Sequence, residues 1–221
     1  AVFFGCQYAG LIPCPMPYTM YIGGKDSYID RVAGMLAAAK AQTVVTGEDL
    51  LGHISEGAAR AGARRVLTHA ELQALPEAAT KLEAFKADED AYIQYSSGST
   101  SNPKGVLISQ KAIMANATGI LTQGLKITPA DRAFSWLPLY HDMGLVGFLS
   151  IPMLNGVQLV QAAPQDFMAH PGHWMQWISD WKGTATAGPN FAWVLATRAL
   201  KRMTDIDLST LTLALSGAEP V

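Results

Sequence analysis

Apolar positions along this chain switch repeatedly between two spacings. Ile29, Val32, Leu36 and Ala39 recur at three- and four-residue intervals and predict a helix over residues 28–41. Thr-Val-Val-Thr at 43–46 is a short β-branched run and predicts a strand. The alternation then continues. Helix is expected over 48–61, where Glu48 and Asp49 suit the positive end of the dipole. Strands are expected at 65–68 and 91–95, helix over 108–124, strand at 131–137 and helix over most of 140–154. Strand 157–161, helix 171–181, strand 184–187, helix 191–203 and strand 211–215 complete the series. The Ala/Glu/Lys-rich stretch 74–90 breaks the rhythm and reads as an exposed connector, which divides the chain into lobes 1–85 and 86–221. This order implies an α/β fold, with mostly parallel sheets covered by helices. The connections are long enough for right-handed crossovers.

Composition narrows the possibilities. Of 221 residues, 49% are hydrophobic and 15% charged, which suits a sizeable core and little disorder. A net charge of −2 without a basic run argues against a nucleic-acid partner. Residues 143–163 carry no charge, yet Pro152, Asn155, Gly156, Gln158 and Gln161 interrupt them. Helix, turn and buried strand are expected there, and no membrane span. Cys6 and Cys14 are too few for a disulfide framework or a zinc site and suit isolated thiols in a cytoplasmic protein. His170 and His173 form His-x-x-His without an acidic or cysteine partner and read as surface histidines, so no metal ligands are expected. Trp174, Trp177 and Trp181 follow helical spacing and read as core or pocket wall. No basic residues precede the apolar start, so no signal peptide is expected. The end on a strand and loop suggests a piece of a longer protein.

The richest chemistry lies at 95–105, Tyr-Ser-Ser-Gly-Ser-Thr-Ser-Asn-Pro-Lys-Gly. Ser96, Ser97, Ser99, Thr100 and Ser101 offer hydroxyls, Gly98 and Gly105 allow close backbone approach, and Lys104 adds a positive charge. That combination suits a polyphosphate. Its expected place between strand 91–95 and the helix from 108 is where nucleotides usually sit in α/β proteins. It is not the common P-loop, because Lys104 precedes the second glycine.

Two further clusters follow. Ser135-Trp-Leu-Pro-Leu-Tyr-His141-Asp142-Met-Gly-Leu runs from strand through loop into helix. His141 is thereby expected at the sheet edge that also carries the phosphate run, able to donate to a carboxylate or phosphate oxygen. Asp142 can cap the helix. Ser216-Gly-Ala-Glu-Pro220 follows the last strand, and its small residues would let a flat ring lie on the backbone.

The run 95–105 resembles the phosphate-binding signature of the adenylate-forming enzymes, namely acyl-CoA synthetases, luciferases and peptide-synthetase adenylation domains. Ser101 stands where that family usually has glycine, as is common in its fatty acyl-AMP ligase branch. Leu137-Pro-Leu-Tyr-His141 with Gly144 resembles the family's Leu-Pro-Leu-Phe/Tyr-His-x-x-Gly, and Trp136 to Leu145 is similar to the same branch. So are the Pro-x-x-Phe-x-x-x-Pro-x-x-Trp pattern from Pro164 and Ala187-Gly-Pro-Asn-Phe, in which Gly188 replaces an alanine-like residue.

The resemblance covers nearly the whole chain. It implies part of the large N-terminal domain of an adenylate-forming enzyme, with the C-terminal domain absent. The implied reaction is fatty acid plus ATP giving acyl-adenylate and pyrophosphate, with magnesium (Mg2+) bridging phosphates and acyl carrier protein as acceptor. Ser96, Ser97, Gly98, Ser99, Thr100, Lys104 and Gly105 would hold the phosphates, and Gly217, Ala218 and Glu219 the adenine. His141 would orient the carboxylate beside Asp142, Met143 and Asn190, making His141 and Lys104 the catalytic candidates. The family's magnesium-binding glutamate, ribose-binding aspartate, hinge and catalytic lysine fall outside this chain, so the 221-residue piece alone is expected to be inactive. Two alternatives stand beside this reading: an acyl-CoA synthetase that uses coenzyme A, and a non-catalytic nucleotide-binding module.

Overall fold

The computed structural model describes residues 1–17, 24–77, 79, 85–95 and 104–217. They form two compact units, Ala1–Gln110 and Lys111–Val221. The division falls after residue 110.

In the first unit, α1 (Val2–Tyr8) precedes α2 (Gly24–Ala38), β1 (Thr43–Thr46), a 3-10 turn (Glu48–Leu50) and α3 (Leu51–Ala61). Then come β2 (Arg65–Thr68), the short α4 (His69–Gln73), β3 (Asp90–Tyr95) and β4 (Gly105–Ser109). β1 and β2 pair in parallel, from Thr43 opposite Arg65 to Thr46 opposite Thr68. The helical spacing on α2 has its expected consequence: Tyr28, Val32 and Leu36 pack with Ile54 and Ala58 of α3. Gly57 allows that approach, since a Cβ there would stand 3.3 Å from the Ile29 carbonyl oxygen. Thr68 and Glu71 close a capping box on α4, and the bond from the Thr68 N–H holds the Glu71 carboxyl below its usual range.

β3 and β4 form an antiparallel pair that ends with Tyr95 opposite Gly105. This corrects the expected strand–loop–helix passage. Residues 105–109 are a strand, and α5 begins only at Gln110 (Gln110–Gly119). The apolar run Val106-Leu107-Ile108 merges in sequence with the helix that follows. Its extended state comes from hydrogen bonding to β3, a partner that local periodicity does not show. β3 is anchored independently by the Ile93 N–H on Pro13 O (3.0 Å), by Gln7 Nε2 on Ala91 O (2.9 Å) and by the Tyr95 hydroxyl on Met35 O (2.6 Å).

The second unit is a parallel sheet between helices. Its strands are β5 (Arg132–Ser135), β6 (Gln158–Gln161), β7 (Ala185–Gly188) and β8 (Leu213–Ser216), in spatial order β6-β5-β7-β8. All three pairings are parallel, as the alternating pattern requires. Around them run a π-helical turn (Ile120–Gly124), a π-helix (Met143–Ser150), α6 (Ile151–Asn155), α7 (Pro164–Ala169), α8 (Gly172–Trp181) and α9 (Asn190–Leu200). α1 and α7 are too short to show a period and were not among the expected elements. No described helix is long and apolar enough to cross a membrane, and the uncharged stretch 143–163 is helix, turn and strand as expected.

Aromatic rings fill this core. Trp136 stacks on Phe167 with centroids 3.8 Å apart, and Trp174 meets both edge-on. Trp174 and Phe167 are fully buried. The Trp174 indole N–H donates to Thr186 Oγ1 (3.1 Å), whose hydroxyl donates to Phe134 O (2.8 Å). Trp174 and Trp177 are thus core, while Trp181 is exposed at the end of α8. At the amino ends of the strands, Asp131 accepts from the Thr128 N–H (2.8 Å) and the Thr184 hydroxyl (2.7 Å). The Thr128 bond is the main reason that its carboxyl sits below the usual range.

Candidate functional site

The opposite edge of the sheet carries the His141 turn and the start of the Ser216 turn. In an open parallel sheet, loops at the carboxyl ends of neighbouring strands converge. His141 follows β5, Asn190 follows β7, and Gly217 follows β8. These three strands are adjacent, in the order β5-β7-β8.

The His141 turn is tightly built. The Leu137 N–H donates to Ser135 Oγ (3.0 Å) and the His141 N–H to Pro138 O (3.1 Å). Asp142 caps the π-helix as its sequence position suggests, accepting from the Met143 N–H at 2.7 Å. His141 Nδ1 lies 2.7 Å from Asp142 Oδ1 and 3.3 Å from the Met143 nitrogen. One ring nitrogen cannot donate and accept along both contacts, and the shorter one, to a carboxylate, places the proton on Nδ1. Gly144 is obligatory here. A Cβ at this position would fall 2.3 Å from Pro138 O and 3.1 Å from Leu137 O. The helix is wound as a π-helix from Met143, a form that is rare and frequent at functional sites.

The other two turns are bonded to each other. The Ser216 hydroxyl donates to Asn190 Oδ1, and the Gly217 N–H to Gly188 O at 3.3 Å. Trp193, one turn into α9, aims its indole N–H at both Gly188 O (3.1 Å) and Leu215 O (3.0 Å). Met143 reaches the same place, its sulfur 3.9 Å from where a Cβ on Gly217 would lie. His141, Asp142, Met143, Asn190 and Gly217 therefore gather at one sheet edge. Ala218 and Glu219 lie outside the described residues.

Ser96, Ser97, Gly98, Ser99 and Thr100 also lie outside the described residues. Their flanks do not. Lys104 is exposed just before β4, and Gly105 pairs with Tyr95. A Cβ on Gly105 would meet Ile93 Cγ2 at 3.1 Å and the Tyr95 ring at 3.3 Å, so this glycine makes room for its strand neighbours. The flanks of the serine-rich run thus belong to a sheet separate from the one that carries His141. The single sheet edge expected for both is corrected accordingly.

Three residues at this edge carry no sequence expectation of their own. Ser216 bonds Asn190 and Trp193 bonds two strand ends. Gly188 is small because a Cβ would stand 2.7 Å from the Trp174 ring. Trp193 follows Asn190 by three positions on a helix, a spacing that places both on one side and is readable in sequence. The strand-end carbonyls it bonds are not. Among the described residues no group of His, Cys, Asp and Glu could hold a metal ion, and Cys6 and Cys14 are free thiols.

These features define an α/β domain with turns gathered at the carboxyl ends of a parallel sheet. The AMP-binding enzyme family matches residues 1–221, and the chain belongs to that family. A putative acyl-CoA synthetase of Caulobacter vibrioides is 39% identical over 201 residues, covering 90% of this chain and 34% of that protein. The long-chain-fatty-acid–AMP ligase FadD26 of Mycobacterium bovis is 32% identical over 228 residues, 99% of this chain and 38% of that protein. A structure from a study of fatty acyl-adenylate ligases from E. coli and L. pneumophila superposes with a TM-score of 0.91 at 39% identity, over 99% of this chain and 40% of that one. The fatty acyl-adenylate ligase from L. pneumophila in complex with acyl adenylate and pyrophosphate gives 0.81 at 30% identity, over 99% of this chain and 38% of that one. The chain spans little more than a third of the length of the two curated relatives.

Proposed function

We propose that the protein containing this chain activates a fatty acid with ATP, giving acyl-adenylate and pyrophosphate, and hands the acyl group to an acyl carrier protein in the cytoplasm. The observation that carries this reading is the convergence of His141, Asn190 and Gly217 at the carboxyl ends of β5, β7 and β8. Relatives named for acyl-adenylate chemistry support it.

One carboxylate oxygen of the acid attacks the α-phosphorus. The bond from that phosphorus to the bridging oxygen breaks, and its electron pair leaves with pyrophosphate. Negative charge spreads over the phosphoryl oxygens, so fixed donors and cations lower the barrier. His141, held through Nδ1 on Asp142, orients the carboxylate of the acid. Asn190 and Met143 line the same approach. Gly217 with Ala218 and Glu219 receives adenine. Ser96, Ser97, Gly98, Ser99, Thr100 and Gly105 surround the β- and γ-phosphates, and Lys104 neutralises the leaving pyrophosphate. Magnesium would supply further positive charge to the phosphate oxygens. The 221-residue chain alone binds nucleotide weakly and does not turn over, because in this reading the remaining catalytic groups belong to the rest of the protein.

The test uses the whole protein with ATP, magnesium, a medium-chain fatty acid and coenzyme A, and identifies products by mass spectrometry. Acyl-adenylate without acyl-CoA is the expected result. Acyl-CoA as the main product would favour a second reading, to which the Caulobacter relative's name points. ATP binding without either product would leave a non-catalytic nucleotide-binding module.

A further inference from the structure

The β7–β8 ladder stops at Gly188 and Ser216, and Trp193 extends it with a side chain. Its indole N–H sits between two strand-end carbonyls, Gly188 O at 3.1 Å and Leu215 O at 3.0 Å. Each of these carbonyls lies two residues before a site residue, Asn190 and Gly217 respectively. The ring is half-buried and braced by Trp174, with centroids 4.5 Å apart. We propose that Trp193 is a positioning residue, whose indole N–H clasps the ends of β7 and β8 and so sets where the Gly217 turn meets the nucleotide.

The two turns differ in how firmly they are otherwise held. The Asn190 turn opens a helix and is fixed by the Ala192 N–H on Pro189 O at 2.9 Å. Among the described residues, the Gly217 turn is tied back by a long bond from its own N–H to Gly188 O, 3.3 Å, and by the neighbouring Ser216 hydroxyl on Asn190. Gly188 O thus accepts from both Trp193 and Gly217. Removing the indole N–H loosens the more weakly tethered turn, so the loss falls on the nucleotide and not on the acid. This inference rests on the reading of Gly217 as part of the nucleotide site.

The test is Trp193→Phe in the whole protein, which keeps a ring against Trp174 and removes only the donor. Two readouts are taken: the Kd of ATP by calorimetry, and KM values for ATP and a medium-chain fatty acid. Loss of one hydrogen bond should raise the Kd and the KM of ATP roughly three- to ten-fold. The KM of the acid and kcat should stay within about two-fold. Unchanged ATP affinity overturns the inference, as does an equal loss in both KM values together with a lower Tm, which marks a purely structural tryptophan. If the wild-type protein binds ATP but makes no acyl-adenylate, the fatty-acid reading fails while the Kd comparison still decides the role of Trp193.

Discussion

The hairpin of the first unit and the parallel sheet of the second present their loops in opposite ways. In the hairpin Tyr95 stands opposite Gly105, so the flanks of the serine-rich run are neighbours both in sequence and in space. In the sheet, each strand delivers one turn, and His141, Asn190 and Gly217 meet only because β5, β7 and β8 lie side by side. A hairpin loop can thus be recognised from its residues alone. A parallel-sheet edge is a site assembled from distant sequence, and it depends on the tight joints that hold each turn.

That difference is breakable by mutation, and the largest effect is expected at Gly144. Gly144→Ala forces a Cβ onto Pro138 O, where backbone and not a flexible side chain must move. Overpacking of this kind costs about 3 kcal/mol, and the His141 turn should be displaced, with loss of the proposed adenylation in the whole protein. Gly147→Ala on the same π-helix meets nothing within 4 Å and should be neutral or slightly stabilising. Urea unfolding of the two variants separates a steric joint from a general intolerance of side chains there.

Next is the buried chain beneath the sheet edge. Thr186→Val leaves the Trp174 indole N–H without its acceptor and Phe134 O without this donor. A cost of about 1–3 kcal/mol follows from stranding buried polar groups. Thr186→Ser should retain most of the stability, which thermal unfolding would show. In the first unit, Tyr95→Phe removes the hydroxyl bond to Met35 O and should cost about 1 kcal/mol. Gly105→Ala should cost less still, under about 1 kcal/mol, because the atoms it meets belong to the Ile93 and Tyr95 side chains, which can shift. If Gly105→Ala proves as harmful as Gly144→Ala, the contrast between hairpin and sheet edge is wrong.

The smallest effect is chemical. Burial pushes the Cys14 thiol up from 9.0 to about 12. The folded state therefore holds this proton more tightly than the unfolded state. Its contribution is complete below pH 9.0 and is lost as pH rises from there toward 12. At neutral pH Cys14 should react with iodoacetamide more slowly in the folded than in the unfolded protein, because the thiolate is the attacking form. Equal rates would show that the thiol is not held in this environment.

Most of the fold was legible in the chain. Helix spacing on α2 and α3, the β-branched strands and the alternating order all reflect local periodicity, which packing then used as it stood. The misread stretch was 105–109, where an apolar run beside a helix became a strand through its pairing with β3. The short α1 and α7 had too few residues to declare a period. Among site residues, Asp142 was readable as a cap because capping is local. Ser216, Gly188 and Trp193 were not assigned roles, because their partners lie on other elements: Asn190, the Trp174 ring and two strand-end carbonyls.

By itself, then, the sequence determined the α/β class, most of the order of elements and membership in an adenylate-forming family. Those properties reside in periodicity and contiguous motifs, which a linear chain displays directly. The tertiary structure alone decided that residues 105–109 pair antiparallel with β3, that Gly144 presses on Pro138, and that one indole N–H joins the ends of β7 and β8. Each is a distance between groups brought together by pairing and packing, and such distances exist only once the chain has folded.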